Sequence, residues 1–472
     1  MDFGNDLFSS DVVPNLHDEL PVGDSGGTFW DEGPTLDSDL LFLDPDVLNP
    51  KICDSISSKY GFYSYASLHW AEHFALCDES ASDMLRDAAT ELLDVKKGSC
   101  RNWLQFYRTK SVDFLDDGFI DQHPIVLAAF FNLQTALKDL LGSGNTPLAV
   151  QQQSALTVAS QHGHLECVMT VMALERTDIN AGGRRGRNAL SFASGNGHES
   201  IVKKLLGRKD CNADHMDDSK ATPFFWAVGG GHHSIISTLA RHPAVNINHQ
   251  DKNGRTAVSW VAGDGMDDAL KLLLKIPGID VNLKDKKGKS PFSWAADYGC
   301  ASTVAVLLES TAVDILSVDE TGRNAISWAA GGGHYDCLVK LLGKGKLGAD
   351  VEDTAGRTPL AWAIHKDSPK TIHTLISDGG VDIERTDRSG RTALNWAVEY
   401  GHAPVVQVLL QAGASPDSRG NGGGSAIRTA IRFGRNDLLD MLKKYSIEWE
   451  TDSFGPSSIE HCCSKSNCHS EH

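Results

Sequence analysis

Two residue types recur on a single period through the middle of this chain. Asp217, Asp251, Asp285, Asp319, Asp353 and Asp387 lie 34 residues apart, and so do Trp226, Trp260, Trp294, Trp328, Trp362 and Trp396. One phrase runs between them: an Asp, a Gly three residues on, Arg or Lys, a small polar residue, Ala or Pro, an aliphatic, a small residue, Trp and Ala. Chance does not lock two residue types to one period six times. Repetition on this scale predicts stacked supersecondary units, each unable to bury its apolar face alone.

The content of one period identifies the unit. In the stretch beginning at Gly390, Leu394, Ala397 and Val398 give a short amphipathic helix that Gly401 can end in a left-handed cap. Val405, Val406, Leu409 and Leu410 give a second helix at helical spacing, closed by Gly413. An extended segment with turn residues leads into the next copy.

Helix, turn, helix and hairpin loop resemble the ankyrin repeat. The family's T-P-L-H-x-A-A stands here as Thr358-Pro359-Leu360-Ala361-Trp362-Ala363, and its G-H pair recurs at Gly163-His164, Gly197-His198, Gly231-His232, Gly333-His334 and Gly401-His402. One departure is systematic. The histidine of T-P-L-H is Ser, Ala, Asn or Phe here, so the ties it makes elsewhere must fall to other groups. Earlier copies begin at Ser154 and Asn188, a degenerate first one at His123 and a degenerate last one at Ser425. The fold class expected is an all-α repeat solenoid of ten ankyrin units between about Phe119 and Tyr445, within residues 119–449. At roughly 10 Å per step the arc would be roughly 90 Å long.

A one-dimensional stack explains how 472 residues avoid splitting into several cores. The ten cysteines lack paired spacings, and neither an apolar leader nor a membrane-length apolar run occurs. These features predict a reduced, soluble, monomeric protein of the cytoplasm, the nucleus or both.

Charge is concentrated at one end. Residues 1–50 contain twelve acids and no Lys or Arg, which is most of the net −18. Phe3, Phe8, Phe29, Trp30 and the Leu40-Leu41-Phe42-Leu43 run are interspersed among the acids. This composition predicts a disordered acidic segment of the kind that keeps aromatics exposed for activation. A plain solvating tail is the alternative. The acidic balance argues against direct nucleic-acid binding.

Residues 51–118 show three helical stripes and predict a small bundle that caps the array. The stretch Tyr60 to Phe74, YGFYSYASLHWAEHF, resembles the segment preceding ankyrin arrays in fungal NACHT-ankyrin proteins. The NTPase of those proteins is not encoded in this sequence: Gly288-Lys289-Ser290 ends like a phosphate loop, but Leu283 occupies the place of its first Gly. ATP binding is therefore not expected, nor is any cofactor.

His69, Glu72 and His73 spell H-x-x-E-H, which on a helix sets two imidazoles one turn apart with a carboxylate between them, as in a metal-dependent hydrolase. The same residues also read as the polar face of a helix whose other face is Trp70 and Phe74, and that reading is preferred. Residues 450–472 carry His461, Cys462, Cys463, Cys468, His469 and His472 without paired C-x₂-C spacing, so adventitious metal binding is expected there rather than a structural site. Other enzyme motifs are missing.

A binding surface is what remains. Carried over residue by residue, the ankyrin groove picks out the basic row Arg187, Arg255, Lys289, Arg323, Arg357 and Arg391, broken only by Ala221. Each cation is expected to pair with a loop Asp of its own register. The first helices end mostly in Gly, predicting an open floor interrupted by Asp297-Tyr298, His365-Lys366 and Glu399-Tyr400. The repeated Trp is assigned to the core. The expected function is a non-enzymatic adaptor for another protein, such as a transcription factor, and so a co-regulator acting through its acidic segment. The alternative is a regulator or decoy related to NACHT-ankyrin proteins.

Overall fold

The computed structural model describes Leu93 and residues 123–142, 147–174, 177–345, 348–418 and 424–446. The expectations for residues 1–50, for the bundle at 51–118 and for the tail at 450–472 lie outside these residues, Leu93 apart. Ten helix pairs follow one another: α1 (Pro124–Phe130) with α2 (Gln134–Gly142), α3 (Ala149–His162) with α4 (Leu165–Met172), α5 (Ala189–Gly195) with α6 (Glu199–Leu206), α7 (Pro223–Gly229) with α8 (His233–Ala240) and α9 (Ala257–Asp264) with α10 (Asp267–Leu273). Then come α11 (Pro291–Asp297) with α12 (Ala301–Glu309), α13 (Ala325–Gly332) with α14 (Tyr335–Gly343), α15 (Pro359–Ala363) with α16 (Pro369–Thr374), α17 (Ala393–Tyr400) with α18 (Ala403–Gln411) and α19 (Ala426–Arg432) with α20 (Asn436–Lys443). No strand occurs among the described residues. First helices pack on first helices and second on second.

Local chemistry sets each unit. The small polar residue before a first helix caps it: Asn188, Thr256, Ser290, Asn324, Thr358, Thr392 and Ser425 all accept from a backbone N–H three residues on. Pro223, Pro291 and Pro359 occupy the first turn, where a missing N–H costs nothing. Leu190, Ala193, Ile201, Val202 and Leu205 show the core of one unit, all essentially inaccessible.

Neighbouring repeats are tied at two levels. Four of the five G-H histidines reach back to the preceding first helix: His164 Nε2 lies 2.9 Å from the Phe130 carbonyl, His198 2.8 Å from Gln161, His232 2.9 Å from Gly195 and His334 2.8 Å from Asp297. Where the pair becomes Gly299-Cys300, the thiol takes over at 3.2 Å from the Gly263 carbonyl. At the hairpin tips one backbone bond joins each pair of loops, as in Lys286 N to Asn253 O at 2.9 Å. Gly254 serves that junction in two ways. Its φ is +81°, and a Cβ there would stand 2.7 Å from Lys286 N. In one loop Lys220 holds the equivalent left-handed position at φ 60°.

In four repeats the position of the missing T-P-L-H histidine is filled by a serine whose hydroxyl turns back to the cap. Ser259 Oγ lies 3.2 Å from Thr256 Oγ1, and Ser327 Oγ donates to Asn324 Oδ1 at 3.1 Å. Asn395 in the same place donates across the seam to the Gly424 carbonyl at 2.9 Å. The eighth repeat is irregular. Its Asp367-Ser368-Pro369 stands where others have Gly-His, α15 runs on as a 3₁₀ turn Ile364–Lys366, and α16 runs on as a π turn Leu375–Gly379.

Candidate partner-binding face

The loop Asp is the anchor of each unit. Asp251 Oδ1 accepts the backbone N–H of Asn253 and of Arg255, each at 2.8 Å, which closes the turn. Its Oδ2 accepts the indole N–H of Trp260 at 3.2 Å. The same pair forms between Trp226 and Asp217 (3.0 Å), Trp294 and Asp285 (3.1 Å), Trp328 and Asp319 (2.9 Å) and Trp362 and Asp353 (3.1 Å). The fixed spacing of nine residues between Asp and Trp is thus a hydrogen bond from loop to helix. These acids are nearly inaccessible.

That bond moves the tryptophans. The core assignment fails for five of the six: Trp226, Trp260, Trp294, Trp328 and Trp362 are half-buried on the face of the first helices, and only Trp396 is buried. An indole whose N–H must reach a loop carboxylate cannot also point between the two helices of its pair. The Trp396 N–H is the exception, buried without a hydrogen-bond partner, while Arg391 Nε takes Asp387 Oδ2 at 3.1 Å.

The cations occupy the spaces between the rings. Lys289 Nζ lies 4.1 Å from the Trp294 ring centre and 3.5 Å from that of Trp328 in the next repeat. Arg323 stands between Trp328 (3.6 Å) and Trp362 (3.9 Å), and Arg187 between Phe192 (4.2 Å) and Trp226 (3.7 Å). Arg255 lies 4.3 Å from Trp294, Arg357 4.0 Å from Trp362 and Arg391 3.6 Å from Trp396. Cation and indole alternate along the face as the rungs of a ladder, each contact a cation–π interaction. Pairing of every cation with its own loop Asp is therefore corrected. It holds for Arg357 and Arg391, whose Nε atoms meet Asp353 and Asp387. Lys289 instead pairs with Asp297 at 2.5 Å. Arg323 donates to the Ser327 carbonyl at 2.7 Å, and its loop carboxylate accepts from Trp328.

Burial weighs on these charges. It pulls Arg187 and Arg323 down to about 10, and lowers Arg255 and Lys289 as well, with Asp297 opposing the effect on Lys289.

The glycine floor is not open either. A Cβ on Gly195 would stand 2.9 Å from Arg187 Nη2, on Gly263 3.3 Å from Arg255 Nη2 and on Gly331 2.7 Å from Arg323 Nη2. Glycine makes room for the guanidinium of its own repeat. Where the residue is acidic instead, it pairs with the cation: Asp297 with Lys289, and Glu399 with Arg391 at 3.5 Å.

Tyr298 and Tyr400 rise from this surface at matching helix ends. Tyr298 is 56% exposed and stacks on Trp294 at 5.6 Å and 27°. Tyr400 is 37% exposed and stacks on Trp396 at 5.7 Å and 16°. His365 leans on Trp362, Trp396 and Tyr400 at 5.4, 6.1 and 4.9 Å, and its pKa is lowered by burial and by Arg357, Arg323 and His402. Lys366 beside it is exposed. The twelve residues picked from sequence therefore lie on one face, over the ends and loops of the first helices. The tryptophans that hold them together were missed, although the constant five-residue step from cation to Trp was there to find.

Among the described residues no group of His, Cys, Asp and Glu is placed to hold a metal, and no helix is long and apolar enough to cross a membrane. His69, Glu72, His73 and the Cys/His tail lie outside them. The family model for ankyrin repeats matches in overlapping segments from residue 125 to residue 453, including 125–217, 258–355 and 371–453. The chain belongs to the ankyrin-repeat family. Ankyrin repeats are protein-binding modules, generally without enzymatic activity. No curated protein matches this ankyrin chain.

Proposed function

We propose that this ankyrin protein is a non-enzymatic adaptor that holds another protein against its cation–indole ladder, with Tyr298 and Tyr400 as the principal contacts. The observation that carries the reading is the pair of exposed tyrosines stacked flat on Trp294 and Trp396 at equivalent positions three repeats apart. Rigid aromatic surface presented at little entropic cost is what binding hot spots are made of. Asp297, Glu399, His365 and Lys366 supply polar contacts around them. Tyr298→Ala and Tyr400→Ala are each expected to weaken the partner by about 2 kcal/mol. The stability cost should be about 0.5 kcal/mol for Tyr298 and about 1 kcal/mol for Tyr400, which also touches His365 and His402. Calorimetric affinities and urea melts on both variants decide it, and a variant that loses stability but keeps its affinity sinks the assignment.

In the finer reading, residues 1–50 recruit transcription machinery while the array, as a monomer in the nucleus, takes DNA specificity from a bound transcription factor. Their twelve acids with interleaved aromatics support it. Affinity purification with and without residues 1–50, and a reporter driven by that segment tethered to DNA, test it; a silent reporter rules it out. The wording of Tyr60 to Phe74 supports a second reading, regulation of NACHT-ankyrin proteins in the cytoplasm, and co-purification of such an NTPase would favour it.

A further inference from the structure

The ladder lacks one rung. Ala221 stands where other repeats place Arg or Lys, so the fourth repeat supplies no cation between Trp226 and Trp260. Those two indoles meet edge to face instead, with ring centres 6.4 Å apart and planes at 87°. Over Gly229, however, no side-chain atom takes the place that a guanidinium Nη2 holds elsewhere. A Cβ on Gly229 would meet nothing closer than the Trp260 ring at 3.9 Å, whereas one on Gly195 or Gly331 would strike an arginine Nη2 at 2.9 or 2.7 Å. Charge points the same way. Asp217, nearly inaccessible and bonded to Trp226, has only the exposed Lys220 as a cation in its own loop, and the half-buried cation that bears on it is Arg187 of the repeat before. Asp251 lies behind Trp260, and Asp264 is exposed at the end of α9.

We propose that the space over Gly229, between Trp226 and Trp260, is a socket for an arginine side chain of the bound protein, which completes the ladder in trans. The guest guanidinium would lie on the face of one indole and against the edge of the other, the two rings standing edge to face. It would reach the Phe225 carbonyl, which occupies the register in which the Ser327 carbonyl accepts from Arg323. A planar, weakly hydrated cation suits such a stacked, half-buried site better than an ammonium. The socket rests on the reading of this face as the binding face, but its test does not require the natural partner.

The probe is the pentapeptide acetyl-Gly-Gly-Arg-Gly-Gly-amide, titrated into the full chain while the indole N–H signals of Trp226 and Trp260 are followed by NMR. The control is the same peptide with citrulline, which keeps the shape and removes the charge. The expected result is saturable shifts of these two signals with the arginine peptide, and at least about tenfold weaker binding of the citrulline peptide, about 1.4 kcal/mol. In Ala221→Arg, where the rung is filled from within, the arginine peptide should no longer move either signal. Should that variant fail to fold, Ala221→Lys fills the same register as Lys289 does. Equal shifts with both peptides, shifts that persist in the filled variants, or no saturable shift at Trp226 and Trp260 would each overturn the socket. None of these results depends on Tyr298 or Tyr400, whose variants test the face itself.

Discussion

Removing the charge of Arg323 tests whether the ladder holds the stack together or is tolerated within it. Burial pulls this guanidinium well below the ordinary arginine range, to about 10, which at about 1.4 kcal/mol per decade is on the order of 3 kcal/mol against the charged form. Opposing that are two cation–π contacts, to Trp328 and Trp362, together worth about 2 to 4 kcal/mol when desolvated. The charged hydrogen bond to the Ser327 carbonyl adds about 1.5 kcal/mol. The terms nearly cancel. Arg323→Met, which keeps an aliphatic stem between the rings, is expected to change stability by no more than about 2 kcal/mol. Pairwise coupling should survive the cancellation: a double-mutant cycle with Trp362→Leu should return about 1 kcal/mol between adjacent repeats. Long arrays melt in segments, so the free energies are read from native-state hydrogen exchange of amides in α13 and α15. A loss above about 4 kcal/mol in Arg323→Met would show that electrostatic anchoring dominates. A coupling below about 0.3 kcal/mol would show that ring and cation are adjacent without interacting.

At the hairpin tips, Gly254→Ala should cost about 2 kcal/mol or more, since φ is positive and the new Cβ meets Lys286 N; Lys220→Gly should gain about 1 kcal/mol by relieving its left-handed backbone. Urea melts of the pair check this, and the same sign for both would refute it. For His164 burial is the main cause, bringing the pKa from 6.5 to about 4 despite its bond to the Phe130 carbonyl. The folded state thus favours the neutral ring, so its contribution is complete above pH 6.5 and is lost as pH falls from 6.5 toward 4. His164→Gln should flatten the wild-type stability profile in that window by about 2 kcal/mol after allowance for solvent screening, and parallel profiles would exclude the assignment.

The fold was legible because the information is redundant. Ten copies of one phrase average out local ambiguity, and caps such as Thr256 and Ser290 mark each helix start independently of hydrophobic pattern. The face was legible in outline only. Reading Trp294 as a hydrophobe sends it to the core, because periodicity registers apolar area and is blind to an N–H that needs an acceptor; the Asp nine residues earlier supplies one. Glycine at Gly331 looks like vacant floor for a similar reason, since a missing side chain does not announce that Arg323 has folded over it. The irregular eighth repeat was hidden by its intact Thr-Pro-Leu opening, the departure lying in Asp367-Ser368 downstream.

Each rung and the helix end that accommodates it travel together inside a single repeat: Arg323 with Gly331, Lys289 with Asp297, Arg391 with Glu399. What a rung requires of the following repeat is mainly an indole, and six successive repeats supply one. The seam is therefore generic while the rung is private. A repeat copied whole brings both halves of its own arrangement and finds a compatible neighbour on either side, so a gene of this kind can lengthen or shorten its product by duplication without any new interface being invented.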